Sequence, residues 1–170
     1  MRIDPVLPGS RPELATLEAV IAAERGRVSP LYQVLLNSPA MAQGWEQLLT
    51  AVRNRSSLPA DLREMVILRV AVLNRALYEF DAHVPHALKA GVSEKKIAAL
   101  RELAIDPIFS GTECRVLLLT DAMTRDIDVP APLFESVQAG LTAQAMIDLT
   151  VTIAAYNMVS RFLVAMRIGH

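Results

Sequence analysis

Helix-start signals recur along the whole chain, and they constrain its fold more than any other feature. Serine precedes proline twice, at Ser29-Pro30 and Ser38-Pro39. A capping serine followed by proline is typical of a helix N-terminus, because the first helical residue needs no N–H. Such signals predict helices over about residues 12–24, 30–37, 39–54, 59–73, 94–104, 112–124 and 142–166. A further helix is predicted from Asn74 to Gly91, and a short one begins at Pro130 and Pro132.

Apolar residues form runs that are too long for strands. The run from Met65 to Leu73 exceeds a usual strand, and no segment alternates apolar and polar residues convincingly. The last helix is apolar on almost every side between Leu149 and Val159, which places it in a core or an interface. The sequence therefore predicts an all-α fold, with residues 1–170 in a single helical domain.

Composition excludes several classes of protein. The 17 Lys and Arg residues nearly balance the 18 Asp and Glu residues, so a nucleic-acid partner is not expected. The uncharged stretch Leu149–Ser160 spans 12 residues, against the roughly 20 that cross a bilayer. We expect neither a membrane segment nor a signal peptide, because an acid follows early, at Asp4.

The single cysteine and the apolar surplus also carry predictions. Cys114 alone cannot form an internal disulfide or a zinc cluster, which fits a reducing compartment and a cytoplasmic location. Hydrophobic residues make up 52% of the chain. A single core of this size is expected to bury only part of their surface. Burial between copies of the chain is the natural consequence, so we expect a homo-oligomer.

One short segment gathers groups that can move protons. In the segment from Tyr78 to His86, Glu79 and His83 are four residues apart and His86 follows three later, so one helix face carries all three. A carboxylate beside an imidazole suits acid/base chemistry. Two alternatives remain open: a solvated ion pair on a helix surface, and a metal site made by Glu79, His83 and His86.

Several segments together resemble a known family. Leu58-Pro-Ala-Asp-Leu-Arg-Glu64, Tyr78-Glu79-Phe80-x-x-His83 and Ala87-x-x-Ala90-Gly91-Val-Ser93 are similar to the carboxymuconolactone decarboxylase family, which includes the alkylhydroperoxidase D-like proteins. The core of this resemblance covers about residues 45–105. It implies a helical bundle of the alkylhydroperoxidase D-like type, assembled as a trimer or hexamer.

The resemblance also shows what this chain lacks. Peroxidase members carry a CxxC pair whose second cysteine lies four residues before the histidine. The corresponding positions here are Ala76 and Glu79, and Cys114 lies outside the motif. A dithiol route needs an attacking thiolate and a resolving partner. Thiol peroxidase activity is therefore not expected.

The resemblance assigns a different chemistry to the residues that remain. It implies decarboxylation, or a related proton transfer, on a small carboxylic acid or lactone without a cofactor. His83 would be the acid/base and Glu79 would orient it, while Glu64 and Tyr78 would complete a hydrogen-bonded relay. His86 and Asn157 are predicted to contact the substrate. Arg69, Arg75 and Arg161 are available for a substrate carboxylate, but the sequence selects none.

A non-catalytic function is the remaining alternative. The chain could have kept the family's fold as an oligomer that binds a metal or a small molecule, because fold does not fix function.

Overall fold

The computed structural model describes residues 1–102 and 104–169. Over these residues the chain forms helices and no strand, which confirms the all-α prediction. A 3₁₀ turn at Pro12–Leu14 is followed by α1 (Ala15–Arg25), α2 (Pro30–Leu35), α3 (Pro39–Asn54), α4 (Ala60–Leu73), α5 (Leu77–Lys89), α6 (Glu94–Ala99), α7 (Gly111–Arg125), α8 (Ala131–Gln138) and α9 (Ala143–Met166).

The predicted helix starts are confirmed at Pro30 and Pro39, but one predicted cap is wrong. Asn74 does not open α5; it follows the last residue of α4, and α5 begins at Leu77. Its side-chain amide instead donates to Asn157 Oδ1 at 2.9 Å and to Ser160 Oγ at 2.7 Å. The predicted helix over 94–104 ends earlier, at Ala99, and its Leu103 lies outside the described residues.

The chain divides into two compact units, residues 1–55 with 163–169 and residues 56–162. The single domain expected from the sequence stays a prediction. In the first unit, α1 and α2 pack against α3. The buried carboxylate of Glu46 accepts hydrogen bonds from Tyr32, Thr50 and Arg25. A pocket of about 540 Å³ in this unit is lined by residues of α1 and α3 and includes Glu46.

The second unit is built around α4, which packs against α5 and α7. The run Met65–Ala71 is buried residue by residue, as the length of the apolar run predicts. One member of this run is charged: Arg69 is 1% exposed. Its guanidinium donates twice to Asp121, at 2.6 Å each, and also to the carbonyls of Leu100 and Glu102. Arg69 is therefore occupied by α7 and the loop after α6, and we assign it to the core of the unit.

The last helix, α9, is long and apolar enough to cross a membrane by length and composition, and half of that apolar window is buried inside the protein. A core helix passes the same test. Its N-terminal region belongs to the second unit, where the Asp148 carboxylate accepts from the Ser57 backbone N–H and hydroxyl at 2.7 Å each. These bonds fix the start of α9 against the loop before α4.

Candidate active site

Three helices of the second unit contribute the candidate site. Glu64 comes from α4, Glu79 and His83 from α5, and Tyr156 from α9. All four side chains are buried: Glu64 is 4% exposed, Glu79 2%, His83 8% and Tyr156 1%. Buried polar groups need hydrogen-bond partners inside the protein, so their contacts define the chemistry available.

His83 stands between two partners, one on each ring nitrogen. Glu64 Oε2 lies 2.8 Å from Nδ1, and the Tyr156 hydroxyl lies 3.3 Å from Nε2. The rings of His83 and Tyr156 meet edge to face, with centroids 5.2 Å apart and an interplanar angle of 87°. Because an ionised carboxylate only accepts, the hydrogen on Nδ1 points to Glu64, which leaves Nε2 of the neutral ring as an acceptor.

Glu64, not Glu79 as expected from the resemblance, contacts Nδ1 of His83. The spacing of Glu79 and His83 places both on one helix face, yet their side chains form no hydrogen bond among the described residues. Glu79 and His83 are both buried on α5, whereas His86 is exposed, and the partner of Nδ1 is Glu64, from the neighbouring helix. The spacing of two residues along one helix determines only the side of the helix on which their side chains lie. A hydrogen bond between α4 and α5 depends instead on how the two helices pack.

Glu79 is a buried carboxylate without a partner. Neither of its oxygens has a hydrogen-bond partner among the residues that the structure describes. Burial raises the pKa of Glu79 well above its ordinary value, because the charged form loses its hydration. A carboxyl group with a raised pKa keeps its proton to higher pH, and in its protonated form it can donate a hydrogen bond as well as accept one.

A cation lies beside the relay. Arg63 Nε is 3.8 Å from Glu64 Oε1, the oxygen that does not face His83. This Nε is buried and has no hydrogen-bond partner within the described part of the chain. Guanidinium groups recognise carboxylates with paired donors. Arg63 therefore brings a guanidinium to Glu64, at the oxygen that does not face His83.

The other predicted site residues are more dispersed. Tyr78 is half-buried on α5 and makes no hydrogen bond to Glu64 or His83 among the described residues, so the relay phenol is that of Tyr156. His86 is exposed, with its ring centroid 5.6 Å from that of His83. Asn157 accepts from Asn74 and donates to Thr124 and the Ile153 carbonyl, so its amide is fully used in holding α9.

The metal alternative requires three converging ligands. Over residues 1–102 and 104–169, no three His, Cys, Asp or Glu side chains are grouped so that they could hold a metal ion. The three residues suggested by the sequence, Glu79, His83 and His86, share α5 but do not form such a group within that part of the chain.

Comparison with known proteins gives the family of this chain. The family model named carboxymuconolactone decarboxylase matches residues 39–122, from the start of α3 into α7, and so includes Glu64, Glu79 and His83. The chain belongs to the carboxymuconolactone decarboxylase/AhpD-like family. The match extends on both sides of the core expected from the sequence. None of the curated proteins compared with the chain matches it.

Solved structures agree with the fold. One is a protein of unknown function from Agrobacterium tumefaciens, which is named as a candidate antioxidant defence protein AhpD. It is 25% identical to this chain, with a TM-score of 0.74, and the match covers 80% of this chain and 94% of that one. An uncharacterised peroxidase-related protein from a Silicibacter species has a TM-score of 0.82 at 16% identity, covering 98% and 89%. The debrominase Bmp8, as a cysteine-to-alanine variant with 2,3,4-tribromopyrrole, has a TM-score of 0.81 at 16% identity, covering 98% and 90%.

Within this family, the chain lacks the thiols of the peroxidase motif. Ala76 and Glu79 stand at the two cysteine positions. The one cysteine, Cys114, is on α7, where its thiol donates to the Phe109 carbonyl at 3.4 Å. A thiolate and a resolving cysteine are both needed for dithiol peroxide reduction. Without these thiols, the chemically active side chains of the candidate site are the acid/base groups Glu64, Glu79, His83 and Tyr156.

Sequence reasoning missed two residues of this constellation. Tyr156 lies in the apolar stretch between Leu149 and Val159, where nothing local marks it as a site residue. Arg63 precedes Glu64 directly, and nothing in the sequence distinguishes it from an ordinary surface charge. Only the packed structure shows Tyr156 at the His83 ring and Arg63 beside Glu64.

Proposed function

We propose that this protein catalyses proton transfer at carbon on a small carboxylic acid or lactone, with decarboxylation as the favoured reaction, and without a cofactor. One observation carries the proposal: Glu64, His83 and Tyr156 form a continuous hydrogen-bonded chain inside the protein. A histidine held by a carboxylate on one nitrogen and free to exchange a proton on the other is the usual design of a general acid/base.

In such a reaction, the bond between the carboxylate carbon and its neighbour breaks, and the electron pair stays on the neighbouring carbon as carbon dioxide leaves. That carbon then needs a proton. His83 Nε2, once protonated, is placed to supply it, and Glu64 stabilises the positive ring until the proton has left. The Tyr156 hydroxyl, at 3.3 Å from Nε2, is a weak partner that can pass a proton to or from the same nitrogen.

Negative charge that spreads into the substrate also needs partners. Protonated Glu79 offers a hydrogen-bond donor in a site from which water is largely excluded, where such a bond is worth most. Arg63 offers a fixed positive charge for a carboxylate of the substrate. These two groups support an acidic substrate with a carbonyl or lactone oxygen, in agreement with the family.

The proposal is tested by solvent exchange. Wild-type protein is incubated in D₂O with a panel of β-keto acids and carboxylated lactones, while ¹H NMR follows deuterium at carbon and ¹³C NMR follows carbon dioxide from labelled carboxylates. We expect exchange or carbon dioxide release with at least one compound, and its loss in His83→Gln. The matched control is Lys89→Gln, an exposed residue of the same helix.

Three results would count against the proposal. Exchange that persists in His83→Gln would remove His83 from the chemistry. Equal losses in His83→Gln and Lys89→Gln would point to a general effect on the helix. Compounds that shift the His83 resonances but exchange no proton would favour the alternative, a non-catalytic binding protein. The cytoplasmic location expected from the single cysteine stays a prediction.

A further inference from the structure

The candidate site needs one proton from solvent in every turnover, although its acid/base group is buried. In the proposed decarboxylation, carbon dioxide leaves with its two oxygens, and His83 gives its proton to the carbon that keeps the electron pair. The balance R–CO₂⁻ + H⁺ → R–H + CO₂ consumes one proton. Because the ring of His83 is then neutral, a proton must travel from bulk water to Nε2 before the next turnover.

The groups at the two nitrogens of the His83 ring are themselves buried. Glu64, at Nδ1, is 4% exposed and Tyr156, at Nε2, is 1% exposed, while His83 is 8% exposed. Tyr156 can pass a proton to Nε2, but a buried phenol must itself be supplied with one. Exchange with bulk water therefore calls for an ionisable side chain that lies at the surface and beside this ring.

His86 combines these two properties. It is exposed, and it follows His83 by three residues on α5, a spacing that keeps both side chains on one side of the helix. The centroids of the two rings are 5.6 Å apart, with an interplanar angle of 51°. One water molecule can join polar groups at such a separation.

The other exposed ionisable side chains of α5, a helix that the structure describes over its whole length, lie elsewhere. Asp81 precedes His83 by two residues, so the two do not face each other, and its carboxylate is 3.7 Å from the guanidinium of Arg101. Lys89 follows His83 by six residues, which places it on a different side of the helix from His83. The spacing therefore selects His86 on this helix.

We propose that His86 carries protons between bulk water and His83, a role that rests on the proposed acid/base function of His83. Imidazole suits this task because its ordinary pKa lies close to neutral pH, so that it both gains and loses a proton readily. This assigns to His86 a different function from the substrate contact that the sequence predicts.

The transfer is a proton movement without any change of oxidation state. Once the product has left, an N–H bond of the His86 imidazolium breaks, and an N–H bond forms at Nε2 of His83 through one bridging water. The positive charge moves from the exposed ring to the buried one, where Glu64 stabilises it. His86 then regains a proton from water or from a buffer molecule.

A proton carrier and a substrate contact differ in what they change. Loss of a substrate contact raises KM, whereas loss of the carrier slows proton exchange at His83 even when no substrate is present. Exchange at His83 is measured from the line shapes of its ring resonances in protein labelled with ¹⁵N-histidine. The pH is fixed at the midpoint of the His83 titration, in a dilute, bulky buffer.

We expect His86→Ala to slow proton exchange at His83 by a factor on the order of 10², the lower end of what a positioned acid/base group contributes. Added imidazole at the same pH and ionic strength should restore much of the rate, because it replaces the missing ring. His86→Gln, which cannot carry a proton, should match His86→Ala. Lys89→Gln is the matched control and should exchange like wild type. Circular dichroism shows whether each variant is folded.

An exchange rate in His86→Ala equal to that of wild type would overturn the proposal. A slower rate that imidazole does not restore would also overturn it, since soluble imidazole does not repair a structural change. A raised KM with unchanged exchange at His83 would assign His86 to the substrate. The measurement needs no substrate, so failure of every compound in the panel would remove the proposed function without deciding the role of His86.

Discussion

Glu64 and His83 are 19 residues apart in the chain, and Glu64 Oε2 lies 2.8 Å from His83 Nδ1 across the contact between α4 and α5. An ionised Glu64 accepts the ring hydrogen from Nδ1, and the other nitrogen then faces the Tyr156 hydroxyl as an acceptor. The direction of proton transfer that we propose for the site rests on that contact.

Glu64→Gln keeps the shape of the side chain and removes its charge. The amide can turn its NH₂ toward Nδ1, which would move the ring hydrogen to Nε2 and remove the stabilisation of the charged ring. We expect the exchange rate in D₂O to fall by a factor on the order of 10²–10⁴, the usual size of a general acid/base effect. Glu94→Gln, on the exposed first turn of α6, is the control and should keep the wild-type rate.

The two tyrosines near the site should respond differently to loss of the hydroxyl. Tyr156→Phe removes the partner of His83 Nε2, so we expect a changed pH–rate profile and a stability loss of about 0.5–1.5 kcal/mol. Tyr78→Phe should alter neither, because its hydroxyl contacts no other member of the site among the described residues. Denaturant unfolding and pH–rate profiles of both variants decide the matter; a larger effect from Tyr78→Phe would restore the assignment made from the sequence.

Glu79 should make the stability of the protein depend on pH. Burial raises the pKa of Glu79, so the folded chain holds a proton that the unfolded chain loses near the ordinary value of 4.5. Its contribution is therefore fully present below that value and declines as pH rises toward the folded pKa. Glu79→Gln removes this titration. The free energy of unfolding of the variant should therefore increase, relative to that of the wild type, as pH rises.

The measurement for Glu79 is urea unfolding at a series of pH values. Glu94→Gln again serves as the control, since an exposed glutamate should give a difference from wild type that does not change with pH. A constant difference for Glu79→Gln as well would mean that Glu79 is ionised in the folded protein, and its role as a hydrogen-bond donor would be lost.

The Arg69–Asp121 pair should be important for stability rather than for activity. Removing one partner of a buried ion pair leaves the other charge unpaired, so Asp121→Asn is expected to cost about 3–5 kcal/mol of unfolding free energy. The comparison variant is Arg101→Gln, which breaks an exposed 3.7 Å ion pair with Asp81 and should cost at most about 1 kcal/mol. Equal costs would show that Arg69 does not hold α4 and α7 together.

Much of the fold could be predicted from local sequence. The start of α3 agrees with that read from Ser38-Pro39, because a proline with its fixed φ acts within the first helical turn. Asn74 was assigned to the wrong helix because capping residues also form tertiary hydrogen bonds, here to α9, and nothing local distinguishes the two. The end of α6 was placed too late because no glycine or proline marks it.

The site was predictable only in part. Glu79 and His83 could be placed on one face from their spacing, and the resemblance supplied Glu64. The spacing could not show that Glu79 lacks a partner, that Arg63 lies beside the relay, or that a tyrosine 73 residues after His83 meets its ring. Each of these depends on packing between helices that are distant in sequence.

The most direct test of the account is the protonation of the His83 ring, read from two-bond ¹H–¹⁵N correlation spectra of the neutral form, with His83→Gln to assign the signal. We predict that the hydrogen resides on Nδ1 and that Glu64→Gln moves it to Nε2. A hydrogen that resides on Nε2 in wild-type protein, and does not respond to Glu64→Gln, would contradict the relay and with it the proposed acid/base role of His83.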